Sequence, residues 1–140
     1  MAVPTIKTLH FLAITSWSRW SQSSSPLELY IQYSDKPQYD PSPPAKTFPL
    51  DTGHREQGKS IACSIELPDE LYYFQRMTLK IKGNDLWLPK TMAFYAEDST
   101  GYVYPIVEYM NWPPRKDTTW STDLKEGKRE IQIFPLQLDM

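Results

Sequence analysis

Only one cysteine, two histidines and five glycines occur in the 140 residues, and each scarcity excludes something. With Cys63 alone, no intrachain disulfide can form, and nothing argues for an oxidising compartment. A zinc site draws on about four His, Cys or carboxylate ligands, which His10, His54 and one cysteine do not supply as a spaced motif. The sequence has no glycine-rich phosphate loop and no Gly-x-Ser-x-Gly elbow, and its serines gather in a soft loop, so it reads as a non-enzyme. There is no dense Lys/Arg block and the formal net charge is −2, which argues against nucleic acid as a partner. No stretch reaches the ~18 apolar residues of a membrane span, so any membrane role would be peripheral. The apolar run Leu9-His10-Phe11-Leu12-Ala13-Ile14 is short, broken by His10 and lacks a small-residue cleavage site. It reads as a first strand and not as a signal peptide, and a cytoplasmic location follows as the expectation.

Prolines and aromatic residues, by contrast, are abundant. Thirteen prolines cluster between apolar runs, as in Pro41-Ser42-Pro43-Pro44 and Pro113-Pro114, a pattern of strands joined by shaped loops. Charged residues make up 23 % and apolar ones 40 %, the balance of a soluble globular chain, and the length suits one domain over residues 1–140. Period-two alternation dominates. Leu27, Leu29, Ile31 and Tyr33 face one way; so do Ile61, Cys63, Ile65 and Leu67, then Met77, Leu79 and Ile81, and finally Ile131 and Ile133. Further strands are expected at Thr5–Thr15, Lys46–Leu50, Lys90–Glu97 and Gly101–Tyr109, the last two joined by the turn Asp98-Ser99-Thr100-Gly101. About eight strands with polar or proline-rich connections predict an all-β, antiparallel sandwich. The one helix-like stretch, Pro68 to Phe74, predicts a turn or so of helix. Cys63, in phase with Ile61 and Ile65, is expected to be a buried small hydrophobe.

Five tryptophans and nine tyrosines form the other outstanding feature. Trp17 and Trp20 lie in Ser16-Trp17-Ser18-Arg19-Trp20-Ser21, and Trp112 and Trp120 flank Pro113-Pro114-Arg115-Lys116. An indole is costly to leave in water and its N–H still wants a partner. Rings carried on loops beside cations point to a surface that docks on something partly apolar. The candidate binding residues are therefore Trp17, Arg19, Trp20, Trp112, Arg115, Lys116 and Trp120. Arg19 would pair phosphate or stack on a ring; alternatively one of these rings caps the open end of the sandwich. Trp112 and Trp120 would equally serve as packing beneath the proline pair and before the last strand. Trp87, between Leu86 and Leu88, is expected to belong to the fold.

The order of residues from Leu50 to Pro105 resembles a known family. Leu50-Asp51-Thr52-Gly53 and Glu56-Gln57-Gly58-Lys59-Ser60 precede a strand; a lysine-bearing strand, Met77 to Lys82, ends in Gly83-Asn84-Asp85; Trp87 opens the next; and the hairpin resumes Thr100-Gly101-Tyr102-Val103-Tyr104-Pro105. This order resembles the PLAT/LH2 domain, the β-sandwich found beside lipoxygenases and pancreatic-type lipases. The resemblance implies an eight-stranded, PLAT/C2-like sandwich of two four-stranded sheets. It also implies docking to a membrane interface or a lipid-associated protein. Some members need calcium, yet the loop where relatives often place an aspartate reads Gln22-Ser23-Ser24-Ser25 here, so no cofactor is expected. A calcium ion would have to draw on Glu97, Asp98 and Asp85 meeting near one end. Two other classes of partner fit the aromatic loops: carbohydrate, with Tyr30, Tyr33, Tyr102, Tyr104 and Tyr109 adding a stacking platform, or a protein partner within a toxin or other assembly.

Overall fold

In the computed structural model, residues 5–17, 23, 26–38, 41–50, 52–82, 87, 89–109 and 130–134 are described, with the side chains at 69, 70, 73, 74, 109 and 134 outside that description. Alternating side chains force the chain into strands that each bury one face, and eight of them form: β1 (Ile6–Thr15), β2 (Leu27–Ser34), β3 (Ala45–Leu50), β4 (Ser60–Leu71), β5 (Tyr73–Ile81), β6 (Pro89–Asp98), β7 (Val103–Tyr109) and β8 (Glu130–Phe134). They pair antiparallel into two four-stranded sheets, ordered β4-β1-β6-β7 and β3-β2-β5-β8. No helix occurs among the described residues.

The inward-facing sets meet between the sheets. Leu9, Phe11 and Ala13 of β1 and Met92, Phe94 and Ala96 of β6 pack against Leu27, Leu29 and Ile31 of β2 and Met77, Leu79 and Ile81 of β5. Phe11 and Phe94 stack with ring centroids 4.8 Å apart. Edge strands obey a different rule. Ile61, Cys63 and Ile65 of β4 point inward but lie at the rim of the core and are only partly buried. Cys63 is thus a half-buried rim residue and not the fully buried one its phase predicts, because nothing in its own sheet flanks β4 on the far side. The strand prolines follow the same logic: Pro49, Pro68 and Pro105 all sit on edge strands, where a missing N–H breaks no ladder, and Pro89 opens β6.

The helical turn expected at Pro68–Phe74 does not form. Strand β4 continues through Pro68 to Leu71, and its register against β1 slips by several residues between Glu66 and Leu71. Burial decides this: Leu67 and Leu71 are both needed in the core, and Ile6 pairs Leu71 across the irregularity. Tyr72 alone then carries the chain from one sheet to the other, its N–H donating to the Ser34 carbonyl at 2.9 Å.

The β6–β7 hairpin is built as its residues predict. Gly101 adopts φ 89°, and its N–H donates to the Asp98 carbonyl at 3.0 Å. One carboxylate oxygen of Asp98 accepts from Thr100 Oγ1 (2.6 Å), Thr100 N (2.9 Å) and Tyr102 N (3.1 Å). These bonds, the Thr100 hydroxyl first, hold the Asp98 carboxyl below its ordinary pKa.

Two outcomes test this account. Leu29→Ala, at a fully buried site, should cost about 2–5 kcal/mol in the urea midpoint with an unchanged slope. The depressed Asp98 pKa contributes stability above the unfolded value that is lost as pH falls through the folded one. Unfolding midpoints followed downward from pH 5 should therefore decline less steeply in Asp98→Asn than in wild type; parallel acid limbs would count against the turn.

Candidate functional site

Strand directions collect four connections at one end of the sandwich. The ends of β1, β3, β5 and β7 and the starts of β2, β4, β6 and β8 all lie there, so every segment bearing a tryptophan is rooted in that end. Of the expected binding residues, Trp17 is described. Arg19, Trp20, Trp112, Arg115, Lys116 and Trp120 lie outside the described residues; the strand ends that flank them are at the same end as Trp17.

Trp87 closes this end of the core. Its side chain has no exposed surface, and its Nε1–H donates to Thr15 Oγ1 at 3.0 Å, so the one polar atom of the ring is satisfied inside. Above it lies Arg55, only 1 % exposed, with its guanidinium carbon 4.8 Å from the centre of the indole. Arg55 Nη1 donates to Thr52 Oγ1 at 2.7 Å and Nη2 to Ser23 Oγ at 3.4 Å. The backbones of Arg55 and Ser23 exchange two hydrogen bonds, 3.1 and 2.8 Å, which tie the β3–β4 connection to the β1–β2 connection. A desolvated cation–π pair on tryptophan is worth about 2 kcal/mol, which offsets part of the cost of burying the charge. Sequence reasoning missed Arg55. The neighbouring His54 is exposed, and an arginine beside glycine and histidine carries no local mark of burial.

Trp17 is treated in the opposite way. It is 69 % exposed, although its position is fixed. The Gly58 N–H donates to the carbonyls of Thr15 (3.1 Å) and Ser16 (3.2 Å), and Gln57 Nε2 donates to the carbonyl of Trp17 at 2.6 Å. The ring lies so close over Gly58 that a Cβ there would meet three indole carbons at 2.7 Å. Gly58 also needs its φ of 72°, which side-chain-bearing residues disfavour. The tip is therefore ordered before it touches anything. Exposed Lys59, Lys82 and Lys90 surround this end, with Lys82 3.6 Å from Glu28 and Glu56 exposed in the β3–β4 connection.

Two other clusters bear on the expected chemistry. On the outer face of β4, β1 and β6, His10 Nδ1 lies 2.7 Å from Ser64 Oγ and His10 Nε2 lies 3.0 Å from Glu97 Oε1. Serine, histidine and carboxylate in a row invite a nucleophilic reading. Ser64, however, sits in mid-strand on an open sheet face, where extended backbone does not wrap N–H donors around a reacting oxygen. The geometry is that of a tie across three strands. Of the carboxylate set Glu97, Asp98 and Asp85, the first two lie at the end of β6, and Asp85 lies outside the described residues.

The contact between Trp17 and Gly58 is open to a mutant cycle. Gly58→Ala should cost about 1–2 kcal/mol, part from φ and part from displacing the ring. In a Trp17→Ala background the second part should vanish, so a fully additive cycle in urea unfolding would show that the ring does not rest there.

No family model matches the sequence, and no curated protein does. Solved structures do. The chain is similar to the alpha toxin of Clostridium absonum at a TM-score of 0.68 and 12 % identity, over 92 % of this chain and 31 % of the toxin. It is similar to an avian-strain Clostridium perfringens alpha-toxin at a TM-score of 0.53 and 13 % identity, over 75 % and 31 %. The chain thus spans about a third of the length of the toxins it matches. At such identities the likeness is one of fold, and that fold is the PLAT/C2-like sandwich implied by the run from Leu50 to Pro105.

Proposed function

We propose that this chain is a non-catalytic binding module that docks peripherally on a membrane interface through aromatic loop tips. The observation that carries this reading is the contrast between two tryptophans at one end of the sandwich. Trp87 is wholly buried and closes the core, so Trp17 is not needed for that task, yet it is held in place and 69 % exposed. A rigid ring gives up little conformational freedom on binding, which favours a preorganised contact. Trp17 and Trp20 would enter the headgroup boundary while Arg19, Arg115 and Lys116 meet phosphate. Lys59, Lys82 and Lys90 add positive charge at the same end, each worth about 1 kcal/mol near an anionic surface. The similarity to part of two longer toxin chains fits a module that works beside another domain.

Sedimentation with neutral and anionic liposomes tests this, with calcium and with chelator. Wild type should sediment more with anionic vesicles and less as salt rises. Trp17→Ala/Trp20→Ala should lower the partition by about tenfold or more, since partial burial of one large ring is worth about 1.5 kcal/mol. Binding with chelator present would show that no metal is required. A wild-type protein that stays in the supernatant under all these conditions would refute the membrane reading and turn attention to glycans and protein partners.

A further inference from the structure

The outer faces of the two sheets differ in kind. That of β3-β2-β5-β8 is polar and paired: Lys80 lies 3.4 Å from Glu130 and over the Tyr30 ring at 3.7 Å, and Lys82 lies 3.6 Å from Glu28. On the other sheet, the central strand β1 turns Leu12 and Ile14 outward, 44 % and 38 % exposed. Their cross-strand neighbours are small: Leu12 sits between Ala62 and Ala93, and Ile14 between Ser60 and Thr91. A central strand with apolar residues outward, flanked by alanine, serine and threonine, leaves two branched side chains standing proud of their sheet. Trp17 follows Ile14 by three residues, just past the end of β1 at Thr15.

The charge around this stripe changes along the strand. Toward Trp17, exposed Lys59 immediately precedes Ser60 of β4 and exposed Lys90 immediately precedes Thr91 of β6, so the strand on either side of β1 carries an exposed lysine at this end. Lys90 is the extra residue where the β1–β6 register shifts between Ile14 and Thr15. In the other direction the same face carries carboxylates: Glu66 and Glu97 both pair with Thr8. Glu108, on β7 opposite Ala93, accepts from Tyr95 Oη at 2.7 Å.

Resting on the membrane reading above, we infer that the sandwich docks tilted, with Trp17, Ile14 and Leu12 forming one apolar contact against an anionic lipid surface while Lys59 and Lys90 meet headgroup phosphates on either side of it. An upright module would bring only its loop tips to the lipid. Leu12 lies three residues below the end of β1, roughly 10 Å at the rise of a strand, and interfacial burial reaches about 5–10 Å. Leaning onto the β4-β1-β6 face brings the stripe and both lysines down together. The lean is limited at the His10 row, beyond which Glu66 and Glu97 would face anionic phosphate.

The test uses the whole chain and vesicles of phosphatidylcholine with and without phosphatidylserine. Leu12→Ser/Ile14→Ser, at exposed positions, should keep the wild-type urea midpoint and lose at least fivefold in partition to phosphatidylserine vesicles. In a Cys63→Ala background, an environment-sensitive dye on Ile14→Cys should shift to the blue on those vesicles, while the same dye on Thr78→Cys, on the other sheet, should not. Lys59→Glu/Lys90→Glu should lose the preference for phosphatidylserine. If wild type binds and the Trp17 and Trp20 substitutions weaken it, but the serine pair does not and the dye at position 14 stays silent, the tilt is wrong and the tip reading stands. If wild type binds neither vesicle, both fall.

Discussion

An indole without exposed surface must still place its N–H, and an arginine without exposed surface must still place its charge. At the loop end of this sandwich each helps the other. Trp87 hands its N–H to Thr15 and offers its ring face to Arg55, and Arg55 spends its own donors on Thr52 and Ser23. Three connections that are far apart in sequence are held by this small assembly, and the sheet it rests on ends at Thr15. Because Trp87 and Arg55 close the core, the next residues of the chain are released from packing duty. That release is what allows Trp17 to lie on Gly58 in the open.

The sandwich is consequently unequal in its ends and in its faces. One end carries the ordered aromatic tip and lysines; the other carries the Asp98 turn, the single-residue corner at Tyr72 and a cleft of about 440 Å³ beside Tyr33, Lys46 and Pro43. One outer face is laced with ion pairs, while the other changes from apolar to acidic along β1. The two ends and the two faces of the sandwich thus offer different chemistry to their surroundings.

Much of this was legible in the sequence because strands announce themselves by alternation. Leu27 to Tyr33, Met77 to Ile81 and Ile131 to Ile133 each bury the side that their spacing predicts, and the Asp98–Gly101 turn follows from its residue types. Trp87 was also readable as core, from its leucine neighbours. What escaped were properties set by position in the sheet. Cys63 has the phase of a core residue but stands on an edge strand. Pro68-Asp69-Glu70 suggests a helix start, yet Leu67 and Leu71 both have to reach the core, and a strand irregularity meets that demand. The burial of Arg55 depends on an indole 32 residues later in the chain, and no local pattern announces it. Leu12 and Ile14 look like ordinary strand residues until the register shows which small side chains flank them.

The place of β1 has a consequence for how the chain assembles. The first strand lies between β4 and β6, so Leu9 finds one partner at Ile65 and the other at Ala96. Neither partner is a sequence neighbour, and the same sheet cannot be completed until β7 has been made. Pairing over such separations demands closure of long loops before any ladder bond repays it, the topology of domains that fold in milliseconds to seconds. During synthesis β1 must therefore wait for β4, because Leu9, Phe11, Leu12 and Ile14 find their first ladder partners only at residues 60–65. A ribosome-bound chain is exposed to strand-to-strand association throughout that interval, and the edge-strand prolines at 49, 68 and 105 limit how far such pairing can spread.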